Sequence, residues 1–181
     1  ATRALEYLAS KGVDHAETSV GRGASLEVTV RMGEVDLLKE AKTSGMSVRV
    51  IVDDKVATSS TNDLAPEAVE RFLDRVIDMA SISEADPIAA PPDPSELAKR
   101  TRDLDLFDPK TAKISAARGI KLATTAERAA LRHKKITASE GASFARSAGY
   151  SVLATSGGFV GRHAGSNQHI VAQVIADADT L

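Results

Sequence analysis

An α+β fold built of two-layer units, each an antiparallel β-meander covered by helices, is what this sequence predicts, on three observations. Apolar residues alternate at period two over Leu26, Val28, Val30 and Met32, and again over Met46, Val48, Val50 and Val52, which puts each set on one face of a half-buried strand. The breaks between such runs are too short for parallel crossovers, so neighbouring strands run antiparallel. Val69, Phe72, Leu73, Val76, Ile77 and Ala80 fall at helical spacing on one stripe, wide enough to cover the apolar face of a sheet.

Taken in order, Leu5, Leu8 and Ala9 open a helix that Gly12 stops. Ala16, Thr18 and Val20 share one face of a first strand, and Leu26 to Met32 form a second. Met32-Gly33-Glu34 reads as a tight turn and Val35 to Ala41 as the returning strand. Gly45 marks a break before Met46–Val52; Asp53-Asp54-Lys55 turns the chain into a short strand, Val56 to Ser60. Asp63 is the expected N-cap of the Val69–Ala80 helix, with Pro66 in its first turn, where a missing N–H costs nothing.

Ser83 to Pro109 holds five of the six prolines and loses apolar periodicity, the mark of a linker or surface strap. A third helix is expected from Lys110 to His133, with Ala116, Ile120, Ala123 and Ala130 on one side and a basic last turn. Strand patterns return over Ile136–Phe144, Tyr150–Thr155, Phe159–His163 and Ile170–Ala176, separated or bent by glycines. Helix followed by meander thus occurs twice, and Val50–Asp53 matches Val174–Asp177 in sequence, a short hint of duplication. The expected division is 1–82, an N-terminal α+β unit; 83–109, a proline-rich linker; and 110–181, a second unit that looks truncated because no helix covers its meander. The absence of an initiator Met reads as an internal piece of a longer chain.

Composition narrows the chemistry. The chain has 181 residues, 43% hydrophobic and 27% charged, and this is globular composition. No cysteine is present, so disulfides, thiolate metal sites and a Cys nucleophile drop out. Lys and Arg number 23 against 25 Asp and Glu, and aromatics are 3%, a balance that argues against nucleic acid as a partner. No apolar run is long enough to span a bilayer and no signal-peptide core opens the chain, which predicts a cytoplasmic location.

The motifs offer little catalysis. His163 and His169 flank Gly165-Ser166-Asn167; if those three formed a turn, the two imidazoles would face each other as a ligand pair. Spacing brings no third ligand to them. Ala154-Thr155-Ser156-Gly157-Gly158 resembles a nucleophile elbow, but a strand rather than a helix follows, so a β-turn is expected. Gly21-Arg22-Gly23 lacks the third glycine of a dinucleotide loop, and Asp103–Asp108 lacks the Gly and Glu of a calcium loop. Catalytic, cofactor-binding and metal residues are therefore expected to be none in this segment.

The run Leu26–Val35 followed by Ser44–Val50, and Ala57–Leu64 leading into Pro66-Glu67, resemble the opening of the TldD/PmbA family; Ser139-Glu140-Gly141-Ala142 and Ser156-Gly157-Gly158-Phe159-Val160-Gly161 resemble the paired motifs of its middle region. The Ser-Glu-Gly-Ala form points to the PmbA (TldE) branch, with Thr155 standing where that branch usually has Asn. The resemblance implies a subunit of a zinc metallopeptidase complex in which the TldD-type partner carries the zinc through an H-E-x-x-x-H motif downstream of the region matched here. It implies pairing with a TldD-type subunit or with itself, small or unfolded peptide substrates, and an older label as a modulator of DNA gyrase. In this setting the glycine-rich meander suggests a peptide-chamber wall or interface at Gly158, Gly161, Ser139 and Glu140. A stand-alone regulatory module is the alternative.

Overall fold

In the computed structural model, which describes residues 1–100 and 102–176, helices and antiparallel strands follow the order expected of an α+β chain. Helix α1 (Thr2–Ser10) leads to β1 (His15–Arg31), β2 (Glu34–Val52) and β3 (Lys55–Thr61), then α2 (Pro66–Ser81). A 3-10 turn at Pro94–Glu96 interrupts an irregular strap; α3 (Pro109–Ala112), α4 (Ala116–Ala130), β4 (Ile136–Thr155) and β5 (Val160–Ala176) complete it. The strands lie in the order β3-β2-β1-β4-β5.

The turns follow local rules. Met32 and Gly33 have φ of 52° and 82°, and Asp53 and Asp54 have 50° and 60°, the paired positive values of two-residue turns whose twist matches the flanking strands. Helix α2 buries Phe72, Leu73, Val76 and Ala80, the expected stripe.

Several boundaries differ from the sequence reading, for physical reasons. Asp63 is not the cap of α2. Ala65 occupies that place without a side-chain bond, and the Asp63 carboxylate instead accepts from the Ala65 N–H in the preceding turn. Lys110–His133 is two helices: Asp108 caps α3, and the Ser115 hydroxyl accepts from Arg118 N to start α4. The strands expected as pairs are each continuous, because their glycines mark close approach rather than breaks. A side chain at Gly45 would meet the Asn62 side chain at 2.9 Å and the Thr61 carbonyl at 3.2 Å; one at Gly21 would meet the Tyr150 carbonyl at 3.2 Å. In the repeat match, Val174 to Ala176 lie in β5 and Asp177 lies outside the described residues.

By compactness the chain forms two units that interleave in sequence, since each long strand gives one part to each. Among the described residues, the first holds 1–22, 43–104 and 150–163; the second holds 23–42, 105–149 and 164–176. In the first, α1 and α2 lay Leu8, Phe72, Leu73 and Val76 on Met46, Val48 and Val50. Its part of the strap is tied down where the Asp86 N–H donates to the Asp54 carbonyl (2.7 Å) and Arg49 donates to the Ala89 carbonyl (2.6 Å). In the second, α4 covers Leu26, Val28, Val30 and Phe144. Gly119 lets α4 come close, because a Cβ there would stand 2.9 Å from the Phe144 ring.

Candidate functional site

The glycine-rich turn between β4 and β5 belongs to the first unit. Thr155 organises it: its amide donates to the Phe159 carbonyl (3.0 Å), its carbonyl accepts from Gly158 N (3.1 Å), and its hydroxyl accepts from Phe159 N (3.3 Å). Ser156 fixes the tip to the start of β1, its amide donating to the Ala16 carbonyl (2.8 Å) and its hydroxyl accepting from Ala16 N (3.0 Å). This is the β-turn the sequence predicts, with the hydroxyl used structurally. Gly158 adopts φ of 89° with open space where a side chain would be, whereas a side chain at Gly161 would stand 2.7 Å from the Phe159 ring. The room at Gly161 is therefore filled by a neighbouring ring, not by another backbone. Pro94, Leu97 and Lys99 of the strap join Gly157–Val160 around a hollow of about 470 Å³.

Ser139 and Glu140 lie in the second unit and, as successive strand residues, point to opposite faces; Ser139 is buried and Glu140 exposed. Ser139 reveals a residue that motif reading missed. Its hydroxyl donates to Glu127 at 2.7 Å, and the same carboxylate accepts from Met32 N (2.8 Å) and Gly33 N (2.9 Å). Glu127 is 2% exposed. Burial pushes its pKa up, but the bonds from Ser139, Gly33 and Met32 together outweigh this and hold it below its ordinary value of 4.5. The carboxylate thus clamps both free amides of the β1–β2 turn to α4. A signal existed: Glu127 falls on the same helical stripe as Ala116, Ile120, Ala123 and Ala130.

The histidine pair does not form. Gly165-Ser166-Asn167 continues β5 instead of turning, so His163 and His169 stand six residues apart on one strand, about 20 Å. That is far beyond the reach of one ion. Among the described residues no three His, Cys, Asp or Glu come together as a metal-holding group.

β5 itself is the most unusual surface. It ends the sheet order, and Ile170, Val171, Val174 and Ile175 are 36–48% exposed on both its faces. Backbone direction follows from two bonds. Ser166 N donates outward to the Leu106 carbonyl of the strap, while the Ile175 carbonyl turns inward to the Thr137 hydroxyl of β4. Alternation then points the backbone groups of Gln168, Ile170, Ala172 and Val174 to the free edge. Among the described residues no strand pairs there, and no helix is long and apolar enough to cross a membrane.

Residues 16–80 match the family described as PmbA/TldA metallopeptidase domain 1. The chain is 34% identical over 175 residues to Metalloprotease PmbA of Escherichia coli O157:H7, covering 96% of this chain and 38% of that protein. A solved structure of a candidate modulator of DNA gyrase from Bacteroides thetaiotaomicron superposes with a TM-score of 0.89 at 25% identity, over 98% of this chain and 40% of that one. TldE from Thermococcus kodakarensis shares the fold, with a TM-score of 0.82 at 16% identity over 98% of this chain and 40% of its own. The chain therefore spans about two-fifths of the length of these relatives. With its order of elements and its motifs set beside them, this chain carries a PmbA/TldD-family domain over residues 16–80 and resembles these relatives along its length.

Proposed function

We propose that this chain is a non-catalytic scaffold within a PmbA-branch subunit of a zinc metallopeptidase complex, and that its free β5 edge serves the peptide chamber or the pairing of subunits. The observation that carries this reading is the row of outward backbone groups from Gln168 to Val174 beside exposed Ile and Val. An extended peptide gains main-chain hydrogen bonds from such an edge whatever its sequence, which suits small or unfolded substrates. The relative named as a metalloprotease supports the peptidase setting. In this reading the protein works in the cytoplasm and pairs with a TldD-type subunit or with itself, and Gly158, Gly161, Ser139 and Glu140 each serve shape rather than reaction.

Proline at Ala172 tests it. Position 172 directs its N–H outward, so proline there removes a donor from the free edge and leaves the bonds to β4 in place. In the intact protein, Ala172→Pro is expected to lower peptide cleavage or subunit pairing at least tenfold with little change in thermal stability. Unaltered cleavage and pairing would remove the reading. A second reading, a regulatory module acting on gyrase, is favoured only by the names of two structural relatives. It predicts direct binding of gyrase by the intact protein and no dependence of that binding on a TldD-type subunit.

A further inference from the structure

The second unit also contains a hollow of about 670 Å³ between the α3–α4 corner and β5, within the range of small-molecule sites. Its apolar wall is made by Ile114, Leu122, Phe144 and Ile170. Its charged groups are two cations and one acid. Lys110 and Arg118 line it, and among the described residues neither makes an ion pair. The acidic residue at the rim, Asp108, already has its oxygens engaged by Lys110 N (2.9 Å), Thr111 N (3.1 Å) and the Thr111 hydroxyl (3.0 Å). His169 and Gln168 add donors from β5. Next to the hollow, Arg146 shares the Phe144 face of β4 and donates to the Ile114 carbonyl at 2.9 Å, while a buried terminal nitrogen of its guanidinium has no partner. Lys110 and Arg118 outnumber Asp108, so an apolar floor with a net positive rim is complementary to one kind of molecule: a greasy body ending in a negative charge.

We propose that this hollow binds an apolar carboxylate, with the hydrocarbon on Ile114, Leu122 and Phe144 and the carboxylate between Lys110 and Arg118. Two sources share that chemistry: the C-terminus of a peptide ending in a large aliphatic residue, and a medium-chain fatty acid. Arg118 supplies the planar fork that a carboxylate fits, and Lys110 a mobile point charge. The hollow shares Gln168 and Ile170 with the β5 edge but does not include Ala172, so different substitutions test the two readings.

Fluorescence anisotropy of a labelled tripeptide, Gly-Ala-Leu, added to the intact protein tests the proposal, with the C-terminal amide of the same peptide and with decanoate as competitor. The free acid is expected to bind at least tenfold more tightly than the amide. The double substitution Lys110→Ala/Arg118→Ala should abolish that preference, and Arg118→Lys should retain part of it. Both arginine and lysine are exposed, so the fold should survive, and circular dichroism checks this. Ala172→Pro should bind the ligand like the unmodified protein even if cleavage is lost. Decanoate binding that needs the same two cations, without peptide binding, would support the site and identify the lipid source. Equal binding of acid and amide, binding that ignores both substitutions, or no binding of either ligand would overturn it.

Discussion

The two compact units solve the same packing problem with different materials. In the first, two helices press aliphatic and aromatic side chains onto the sheet, and polar links such as Tyr7 to Asp74 (3.0 Å) and Lys11 to Asp74 (3.0 Å) stay at the surface. In the second, α4 covers a smaller cluster around Phe144, and a buried charge, Glu127, anchors one turn to the helix. The second unit also leaves Leu37 and Leu38 of β2 and Ile170, Val171 and Ile175 of β5 at least 40% exposed. The first core packs apolar side chains, and the second adds a buried carboxylate that fixes one hairpin, while both units leave apolar side chains in water, Ile82 and Ile88 among them in the first.

That contrast can be broken most forcefully at Phe144. Phe144→Ala removes the largest fully buried side chain of the second core, with an expected loss of about 3–5 kcal/mol in chemical denaturation. A loss under about 1 kcal/mol would mean that α4 does not depend on this cluster. Glu127 comes next. Glu127→Ala leaves two backbone amides and the Ser139 hydroxyl without an acceptor and should cost about 2–4 kcal/mol, while Glu127→Gln keeps one acceptor oxygen and should cost less.

The same residue sharpens the comparison through pH. Folding holds the Glu127 pKa below 4.5, so its contribution is complete above about that pH and is lost as pH falls through the lower folded value. The stability gap between the unmodified protein and Glu127→Gln should therefore shrink as pH drops from 7 to below 4. A gap that stays constant would assign the clamp to shape rather than charge. A smaller effect lies at Met32, a non-glycine residue at φ of 52° whose side chain is exposed. Met32→Asn should stabilise the turn by about 0.5–1 kcal/mol, and a destabilisation would show that the methionine itself makes a needed contact.

Much of the fold was legible because its signals are local. The α2 stripe, the Met32-Gly33 and Asp53-Asp54 turns and the alternation of Leu26 to Val30 each follow from a few neighbouring residues, and the structure shows them where they were expected. Strand lengths were not legible, since Gly21 and Gly45 look like breaks in a sequence, and only the approach of Tyr150 or Asn62 reveals why glycine stands there. The continuity of β5 through Gly165-Ser166-Asn167 dissolved the histidine pair for the same reason. Glu127 was hidden because its partners, Met32, Gly33 and Ser139, are brought to it by tertiary structure. The outward row on β5 depends on which neighbour each strand takes, and sequence does not state that.

The central claim is that this chain shapes and holds while metal chemistry occurs on other atoms. Zinc analysis of the intact protein assembled with a TldD-type subunit tests it directly, comparing the unmodified chain with His163→Ala/His169→Ala. The account expects the same zinc content in both assemblies. A fall in bound zinc in the substituted one would contradict it.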